Sequence, residues 1–376
     1  MSKYGIIDPT SVNLDTADPR DIICYINASG NEYNGKLGAR VSSIFVIGII
    51  STVGTFFPVV ARRVRRIRIP LYVYLFARYF GAGVIVATAF IHLLDPAYGE
   101  IGPQTCVGMT GGWADYSWCP AIVLGSVMMI FLFDFLAERY VEVKYGVAAE
   151  TDIEGAVTGN GQQDEQGVLN ESRRKSSTRN LASKQDELAL EKAYEKKFAA
   201  AEDATYEDEE ARKFAVQQQI AAFLILEFGV IFHSVIIGLN LGVAGDEFST
   251  LYPVLVFHQT FEGLGIGARM SAIPFKKGSL TPWLLCAAYG LTTPISIAIG
   301  LGVRTTYNSG SYTANVVSGV LDSLSAGILI YTGLVELLAR DFLFNPLRTQ
   351  SNKRLAFMLA CVFLGAGVMA LLGKWA

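Results

Sequence analysis

His92, His233 and His258 are the only histidines of this 376-residue chain. Each lies inside or at the rim of an apolar segment long enough to cross a membrane, and the long polar segments contain none. An ionisable group is costly in hydrocarbon, so such residues usually mark a substrate or ion path. The placement of these imidazoles is therefore the main indication of function.

His258 and Glu262 are four positions apart in the sequence. On a helix this spacing puts both side chains on one face, about one turn apart. An imidazole and a carboxylate placed in this way can share one ion, which suits zinc or another first-row dication. His233 lies at comparable depth on the preceding apolar segment. The sequence therefore predicts a metal site, with histidine and carboxylate ligands and neighbouring oxygen donors: His233, His258, Glu262, Ser234 and Gln259.

Other polar groups in the apolar segments suggest a path to and from this site. His92 is followed by Asp95, and i+3 spacing lets both reach one ion, so we predict an access or gating site there. A structural, hydrogen-bonded role for His92 is the alternative. Glu227 and Glu336 are predicted to line the exit path. Asp322 suits either the path or hydrogen bonding between helices.

The composition is that of a polytopic membrane protein. Hydrophobic residues make up 51% of the chain, charged residues make up 17%, and the mean hydropathy is +0.36. A formal net charge of -3 favours no nucleic acid or other polyanion as a partner. Five cysteines are too few and too scattered for a CxxC zinc module or a disulfide-rich scaffold. Cys106 and Cys119 are the one pair on a common predicted loop.

Eight apolar segments have the length of about 20 residues that a bilayer-spanning helix needs. The sequence therefore predicts an all-α polytopic membrane protein with eight transmembrane helices. Their predicted ranges are 38–60, 71–94, 119–140, 216–242, 250–270, 281–303, 314–338 and 354–373. Residues 1–37 lack the basic-then-apolar pattern of a cleaved signal peptide, so the first span is expected to insert uncleaved.

Loop charges predict the orientation of these spans, because Lys and Arg near helix ends are retained on the cytoplasmic side. The first loop has five arginines between residues 62 and 68 and no acid. The second loop, 95–118, has three acids and no Lys or Arg. Inside and outside then alternate through the whole chain without violation if both termini are extracellular. Asn27 begins a glycosylation sequon on the side where glycosylation occurs, whereas the sequon at Asn170 is expected to be a chance match.

The predicted organisation has four parts: an extracellular N-terminal segment 1–37, transmembrane helices 1–3 in 38–140, a cytoplasmic loop 141–215 and transmembrane helices 4–8 in 216–376. The first half of the loop is polar and Gly-rich, which is typical of disorder. Its second half, about 182–213, favours a solvent-exposed helix. The loop is either a plain linker or a regulatory segment whose lysines and serines serve ubiquitin-attaching or phosphorylating enzymes.

Small residues indicate where helices approach closely. Gly238 and Gly242 on the fourth span, and Gly263 and Gly267 on the fifth, form GxxxG pairs, which we expect to pack these two helices together. The tetrapeptide 81–84 recurs at 365–368, which is poor evidence for a duplicated bundle.

A buried charge pair is also predicted. Arg78 lies about 12 Å into the second span, given a rise of about 1.5 Å per residue. It could snorkel or pair with Asp134 in the third span, and we interpret that pair as structural.

These motifs resemble those of the ZIP family of zinc- and iron-regulated metal transporters, close to the fungal plasma-membrane zinc importers. The resemblance rests on His233-Ser234-x-x-x-Gly238, on His258-Gln259-x-x-Glu262-Gly263 and on the run 87–95 that contains His92, and it covers nearly all of 38–376. It implies zinc uptake into the cytosol through a site between spans four and five. It also implies an elevator-like shift of helices, a homodimer and a plasma-membrane location.

Two departures from the family pattern stand out. Ile237 occupies a position where many relatives carry a carboxylate that bridges two metals, which puts a second metal position in doubt. The third loop has no histidine, so metal sensing there would depend on acids such as those in 206–210, which bind zinc more weakly.

The ligand types also suit Fe²⁺, Mn²⁺ and Cd²⁺, and no prosthetic group is expected. A rival hypothesis is an intramembrane zinc-dependent hydrolase that uses the histidines as fixed ligands. The absence of an HExxH motif weighs against this enzyme. A metal-sensing receptor is disfavoured, because the chain has no soluble signalling domain.

Overall fold

The structure is a computed structural model that describes residues 15–18, 22–24, 33–63, 70–145, 206–273, 275, 278–344 and 349–374. Within these ranges the chain is helical and contains no β-strand, so the all-α class is confirmed. Its main helices are α1 (Leu37–Arg63), α2 (Leu71–Ala87), α3 (Trp118–Tyr145), α4 (Tyr206–Val243), α5 (Phe248–Ala272), α6 (Thr281–Gly302), α7 (Tyr312–Tyr331) and α8 (Asn352–Leu372).

Two helices continue beyond their predicted ends through π-helical segments. The segment Thr88–Leu94 follows α2 and passes into a short α-helix, Asp95–Ile101. Thr332–Phe344 continues α7 in the same way. The predicted second loop therefore begins seven residues later than expected, and the seventh span reaches residue 344 rather than 338.

Seven helices of the described chain are long and apolar enough to cross a membrane, so the protein is a multi-pass membrane protein. They are Leu37–Arg63, Leu71–Ile101, Trp118–Ala137, Gln219–Val243, Thr281–Gly302, Tyr312–Phe344 and Asn352–Leu372. The predicted fifth span, α5, does not meet the same measure. Its 25 residues include His258, Gln259, Glu262 and Arg269, which lower its hydropathy. Most of these polar residues are buried against other helices rather than turned to lipid.

Several predicted features lie outside the described residues. They include both sequons, most of the arginine-rich first loop and residues 146–205 of the third loop. The part of the predicted loop helix that is described, from Tyr206, runs without a break into α4. The chain divides into two compact units, Met1–Asp134 with Gln219–Ala376, and Phe135–Gln218. The first unit contains the predicted metal site.

The glycines of α4 pack against α6. A Cβ atom added at Gly238 would lie 2.7 Å from Cβ of Ser296, and one added at Gly242 would lie 2.8 Å from the backbone of Gly300. Such distances are too short for any side chain, so the two helices approach almost backbone to backbone. The prediction that these glycines pack against α5 was therefore wrong.

The glycines of α5 pack mainly against α1. A Cβ atom at Gly263 would lie 3.0 Å from Oγ1 of Thr55 and 3.3 Å from the carbonyl oxygen of Ser51. At Gly267 an added Cβ would overlap the carbonyl oxygen of Thr55. The GxxxG pattern does identify faces of close approach, but the partner of each face depends on the arrangement of the whole bundle.

The repeated tetrapeptide forms the crossing of α2 and α8. A Cβ atom at Gly83 would overlap the carbonyl oxygen of Val362, and one at Gly365 would overlap that of Phe80. The two copies thus face each other across one interface, within an apolar cluster that includes Tyr79, Phe80 and Val362. Close packing between α2 and α8 accounts for Gly83 of the first copy and Gly365 of the second.

The predicted pair between Arg78 and Asp134 does not form. Arg78 donates to both carboxylate oxygens of Asp341, at 2.8 and 2.7 Å. Asp134 instead accepts from Arg340, at 3.2 Å, and from the hydroxyl of Tyr331, at 2.8 Å. The error follows from the π-helical extension of α7. It carries Arg340 and Asp341 into the bundle, whereas the sequence analysis placed both residues beyond the seventh span.

A disulfide joins Cys24 to Cys106. It ties the segment before α1 to the loop that follows Ile101. Cys119, the other cysteine of the predicted loop pair, is a buried free thiol. Its neighbour on α7 is Ser323, whose hydroxyl lies 3.4 Å from the Cys119 sulfur.

Candidate metal site

His233, His258 and Glu262 lie together in the interior of the bundle, with exposures of 3%, 1% and 0%. The ring centroids of His233 on α4 and His258 on α5 are 5.3 Å apart. Nε2 of His258 lies 3.5 Å from Oε2 of Glu262, one helical turn further along α5. Spacing on α5 and the approach of α4 therefore bring together the three residues that the sequence analysis chose as ligands.

His92 lies at this same cluster. Its ring is 4.8 Å from that of His258 and nearly perpendicular to it, and its Nε2 lies 3.3 Å from the carbonyl oxygen of Met369 on α8. His92 is buried, whereas Asp95 is exposed. The π-helical turn that contains His92 has i→i+5 geometry, so the i+3 position no longer shares its face. The predicted pairing of His92 with Asp95 is not seen in this arrangement.

A hydroxyl pair holds the polar end of Gln259. Ser51 on α1 and Tyr289 on α6 both lie within hydrogen-bond distance of its Oε1, at 3.2 and 3.0 Å. The Tyr289 hydroxyl is also 3.2 Å from Oε2 of Glu262. Ser51, Gln259, Glu262 and Tyr289 are at most 1% exposed. Two faces of the site are therefore lined by hydroxyl groups that the sequence analysis did not select.

Several buried polar atoms around this cluster have no hydrogen-bond partner in the described chain. They are His233 Nε2, Ser234 Oγ, His258 Nδ1 and Nε2, Gln259 Nε2, Glu262 Oε1 and Thr293 Oγ1. Leaving one buried polar group unsatisfied costs about 1–3 kcal/mol, so a concentration of them needs a reason. Imidazole nitrogens and carboxylate oxygens are ligands that zinc prefers, and a dication would satisfy them.

The cluster is not a finished coordination shell. Among the described residues, no three His, Cys, Asp or Glu side chains are arranged to hold a metal ion as they stand. Zinc needs nitrogen ligands at about 2.0–2.1 Å, so the side chains must rotate toward a common point.

The predicted exit residues have different surroundings. Glu227 on α4 is 3% exposed, and both of its carboxylate oxygens lack a hydrogen-bond partner in the described structure. Glu336 is paired with Arg340 at 3.1 Å and with Arg269 at 3.7 Å. Asp322 is also buried, with Oδ1 unpartnered. Glu227 is therefore available to a passing cation, whereas an ion at Glu336 would compete with two guanidinium groups.

Tyr289 and Ser51 could have been found from the sequence by a general signal. Each is a hydroxyl-bearing residue near the middle of an apolar span, and a buried hydroxyl needs a hydrogen-bond partner. The sequence contains many such residues, however, and spacing on one helix cannot show which of them turn toward a site on another.

A buried imidazole and carboxylate cluster inside an all-helical membrane bundle defines a class of membrane protein that handles transition-metal cations. Comparison of the sequence with known proteins identifies the family within this class. The family model described as ZIP Zinc transporter matches residues 37–373. The chain belongs to the ZIP zinc transporter family, and it is a transporter rather than an enzyme, so the hydrolase alternative is set aside.

Curated relatives resemble the chain over nearly its whole length. It is 56% identical to Zinc-regulated transporter 1 of Saccharomyces cerevisiae, over 98% of this chain and 97% of that protein. It is 43% identical to Zinc-regulated transporter 1 of Schizosaccharomyces pombe, over 97% and 92% of the two chains. Zinc-regulated transporter 2 of Saccharomyces cerevisiae is 36% identical, over 93% and 96%. No solved structure gave a significant match.

Proposed function

We propose that this protein imports zinc across the plasma membrane into the cytosol, through a site formed by His92, His233, His258 and Glu262. The observation that carries the site is the convergence of these buried side chains from the π-helical segment Thr88–Leu94, α4 and α5, with nitrogen and oxygen atoms that lack partners. Membership of a zinc transporter family and the resemblance to proteins named zinc-regulated transporters support zinc as the substrate.

The proposal includes eight spans with both termini extracellular. In it α5 crosses the membrane although its hydropathy is low, because its polar residues face other helices. The disulfide between Cys24 and Cys106 supports an extracellular N-terminus and second loop, since disulfides persist in oxidising compartments. The sequence ranges 1–37, 38–140, 141–215 and 216–376 are then the extracellular segment, the first three spans, the cytoplasmic loop and the last five spans.

Glycosylation mapping tests this topology. Asn27→Gln should remove an endoglycosidase-sensitive mass from the expressed protein, whereas Asn170→Gln should leave the mass unchanged. Loss of mass in the Asn170 variant alone would reverse the proposed orientation.

In the proposed path, a dication reaches His92 from the acidic outer side and is shared by the imidazoles of His233 and His258 with Glu262. It then leaves by way of Glu227 and Glu336. Ser234 and Gln259 are secondary oxygen donors, and the site need not distinguish sharply between zinc and Fe²⁺, Mn²⁺ or Cd²⁺. An elevator-like movement, a homodimer and modification of the cytoplasmic loop remain predictions from the resemblance and the loop composition.

Uptake of radioactive zinc in cells that lack their own zinc importers tests the proposal. The native chain is compared with His258→Ala and Glu262→Ala at matched surface levels, with competing metals added to rank selectivity. Saturable uptake by the native chain that either substitution abolishes is the expected result. Tyr252→Phe is a matched control on α5, because Ser42 Oγ, at 3.4 Å, is the one hydrogen-bond partner of the Tyr252 hydroxyl among the described residues. A native chain that reaches the surface and moves no zinc would refute the proposal.

A further inference from the structure

The Tyr289 hydroxyl lies between two residues of the candidate site. Its oxygen is 3.0 Å from Oε1 of Gln259 and 3.2 Å from Oε2 of Glu262. A phenol has one proton, so it can donate to only one of these two acceptors at a time. Ser51 is the second hydroxyl at Oε1 of Gln259, at 3.2 Å. In this arrangement Nε2 of Gln259 is buried without a partner.

Reversing the Gln259 amide would give both of its N–H donors, and the Tyr289 proton, a hydrogen-bond partner. Its two N–H donors would then face the Ser51 and Tyr289 hydroxyl oxygens, both of which can accept a hydrogen bond. The Tyr289 proton would be free to go to Glu262 alone. Oε1 of Gln259 would be released from both hydroxyls, as an oxygen ligand for a cation. The hydroxyls fit either orientation, because each can donate or accept.

We propose that Tyr289 is a positioning residue that couples Gln259 to Glu262: the Gln259 amide, with its N–H groups toward the two hydroxyls, donates to Tyr289, and Tyr289 donates to Glu262. This inference rests on the proposed metal site. The relay presents Oε1 of Gln259 and Oε1 of Glu262 to the ion together, since one hydroxyl orients both side chains. Tyr289 itself does not contact the ion.

A purely structural role for Tyr289 would be to fill space. Its ring packs beside Gly263, where an added Cβ atom would lie 3.3 Å from Cε1 of the tyrosine. Tyr289→Phe keeps the ring and this packing while it removes the hydroxyl. The substitution therefore separates the relay from the packing of α5 against α6.

A double-mutant cycle tests the coupling. Zinc uptake is measured at matched surface levels for the native chain, Tyr289→Phe, Gln259→Ala and the double variant, with Tyr252→Phe as the control for loss of a tyrosine hydroxyl on a neighbouring helix. We expect Tyr289→Phe to raise the KM for zinc roughly fivefold, the effect of losing one hydrogen bond. Gln259→Ala should raise it further, because this change also removes an oxygen ligand. The double variant should match the worse single variant, because both changes interrupt the same relay.

The outcomes separate the relay from the transport proposal. If the native chain imports zinc and the rise in KM of the double variant is the product of the two single effects, or if Tyr289→Phe has the native KM, the relay is overturned while transport stands. If Tyr289→Phe does not reach the surface, Gln259→Glu decides. This change keeps an oxygen ligand but leaves no N–H to donate to Tyr289, so a KM for zinc no higher than the native one overturns the relay. A native chain without uptake overturns the transport proposal itself.

Discussion

The loss of stability on removing the charge of Glu336 can be worked out from the residues around it. Its side chain is 6% exposed, and its Oε2 lies 3.1 Å from Arg340 and 3.7 Å from Arg269. Arg269 belongs to α5 and is 18% exposed, whereas Arg340 is 36% exposed and also pairs with Asp134. Glu336→Gln keeps the shape of the side chain and removes its charge. Arg269 is then left in the bundle without its nearest carboxylate.

Breaking a buried ion pair from one side costs about 3–5 kcal/mol, because the remaining charge stays desolvated. The partial exposure of Arg269 screens part of this cost, so we expect a loss below that range, about 2–3 kcal/mol. With an unfolding entropy of about 2.1 cal/mol/K per residue, the loss corresponds to a Tm lower by roughly 3 °C for a chain of this size. Arg340→Met, at the more exposed partner, should lower Tm less.

The assay is thermal unfolding of the purified full-length protein in detergent, with the double variant Arg269→Met/Glu336→Gln beside the single ones. The double variant should regain most of the lost Tm, because it leaves no unpaired buried charge. A Glu336→Gln protein as stable as the native one, or a double variant whose loss equals the sum of the singles, would refute the reasoning. Zinc uptake by the double variant then tests the exit role separately: stability regained without uptake indicates that Glu336 also binds the ion.

Three further outcomes are expected. Gly242→Ala should lower Tm and surface level, because overpacking against Gly300 costs about 1–3 kcal/mol, whereas Gly367→Ala, with open space around it, should not. The fall in Tm should be the same for Cys24→Ser, for Cys106→Ser and for their double variant, because each change removes one shared disulfide. A reductant should lower the Tm of the native chain and leave that of the three variants unchanged. Unequal falls in Tm among the variants would exclude a shared disulfide. Uptake at fixed zinc should hold from about pH 7 to about pH 5 and fall only in more acidic medium. Only neutral imidazole binds metal, and burial disfavours the charged form of His92, His233 and His258. A rise at acidic pH with the protein still at the surface would contradict the site.

The sequence predicted the helices and the proximity of His233, His258 and Glu262, for a simple physical reason. Apolar runs of spanning length and the i, i+4 spacing of His258 and Glu262 are local properties of the chain, readable without knowledge of its neighbours. Depth within a span also follows from residue number, which is why His233 was expected at the level of His258. The structure places these two rings side by side.

Properties that depend on contacts between helices were predicted less well. The glycines of α4 and α5 were correctly recognised as sites of close approach, yet they face α6 and α1 rather than each other. The two π-helical segments could not be predicted, because the sequence pattern was compared only with an α-helical period of 3.6 residues. One of them turns His92 into the central cluster, and the other brings Asp341 to Arg78. Tyr289 was missed because nothing on α6 alone distinguishes it.

The low hydropathy of α5 has a consequence for how the protein is made. A charged residue at the centre of a helix costs roughly 2.5–3.5 kcal/mol during membrane insertion, and α5 carries Glu262 together with His258 and Gln259. We therefore expect α5 to enter the bilayer poorly by itself. Only residues 244–247 separate it from the strongly apolar α4, so the two helices are suited to insert as one hairpin. In the proposed eight-span topology, the side chains that would bind the metal would thus make the insertion of α5 depend on its neighbours. A more apolar α5 would be easier to insert at the expense of the site.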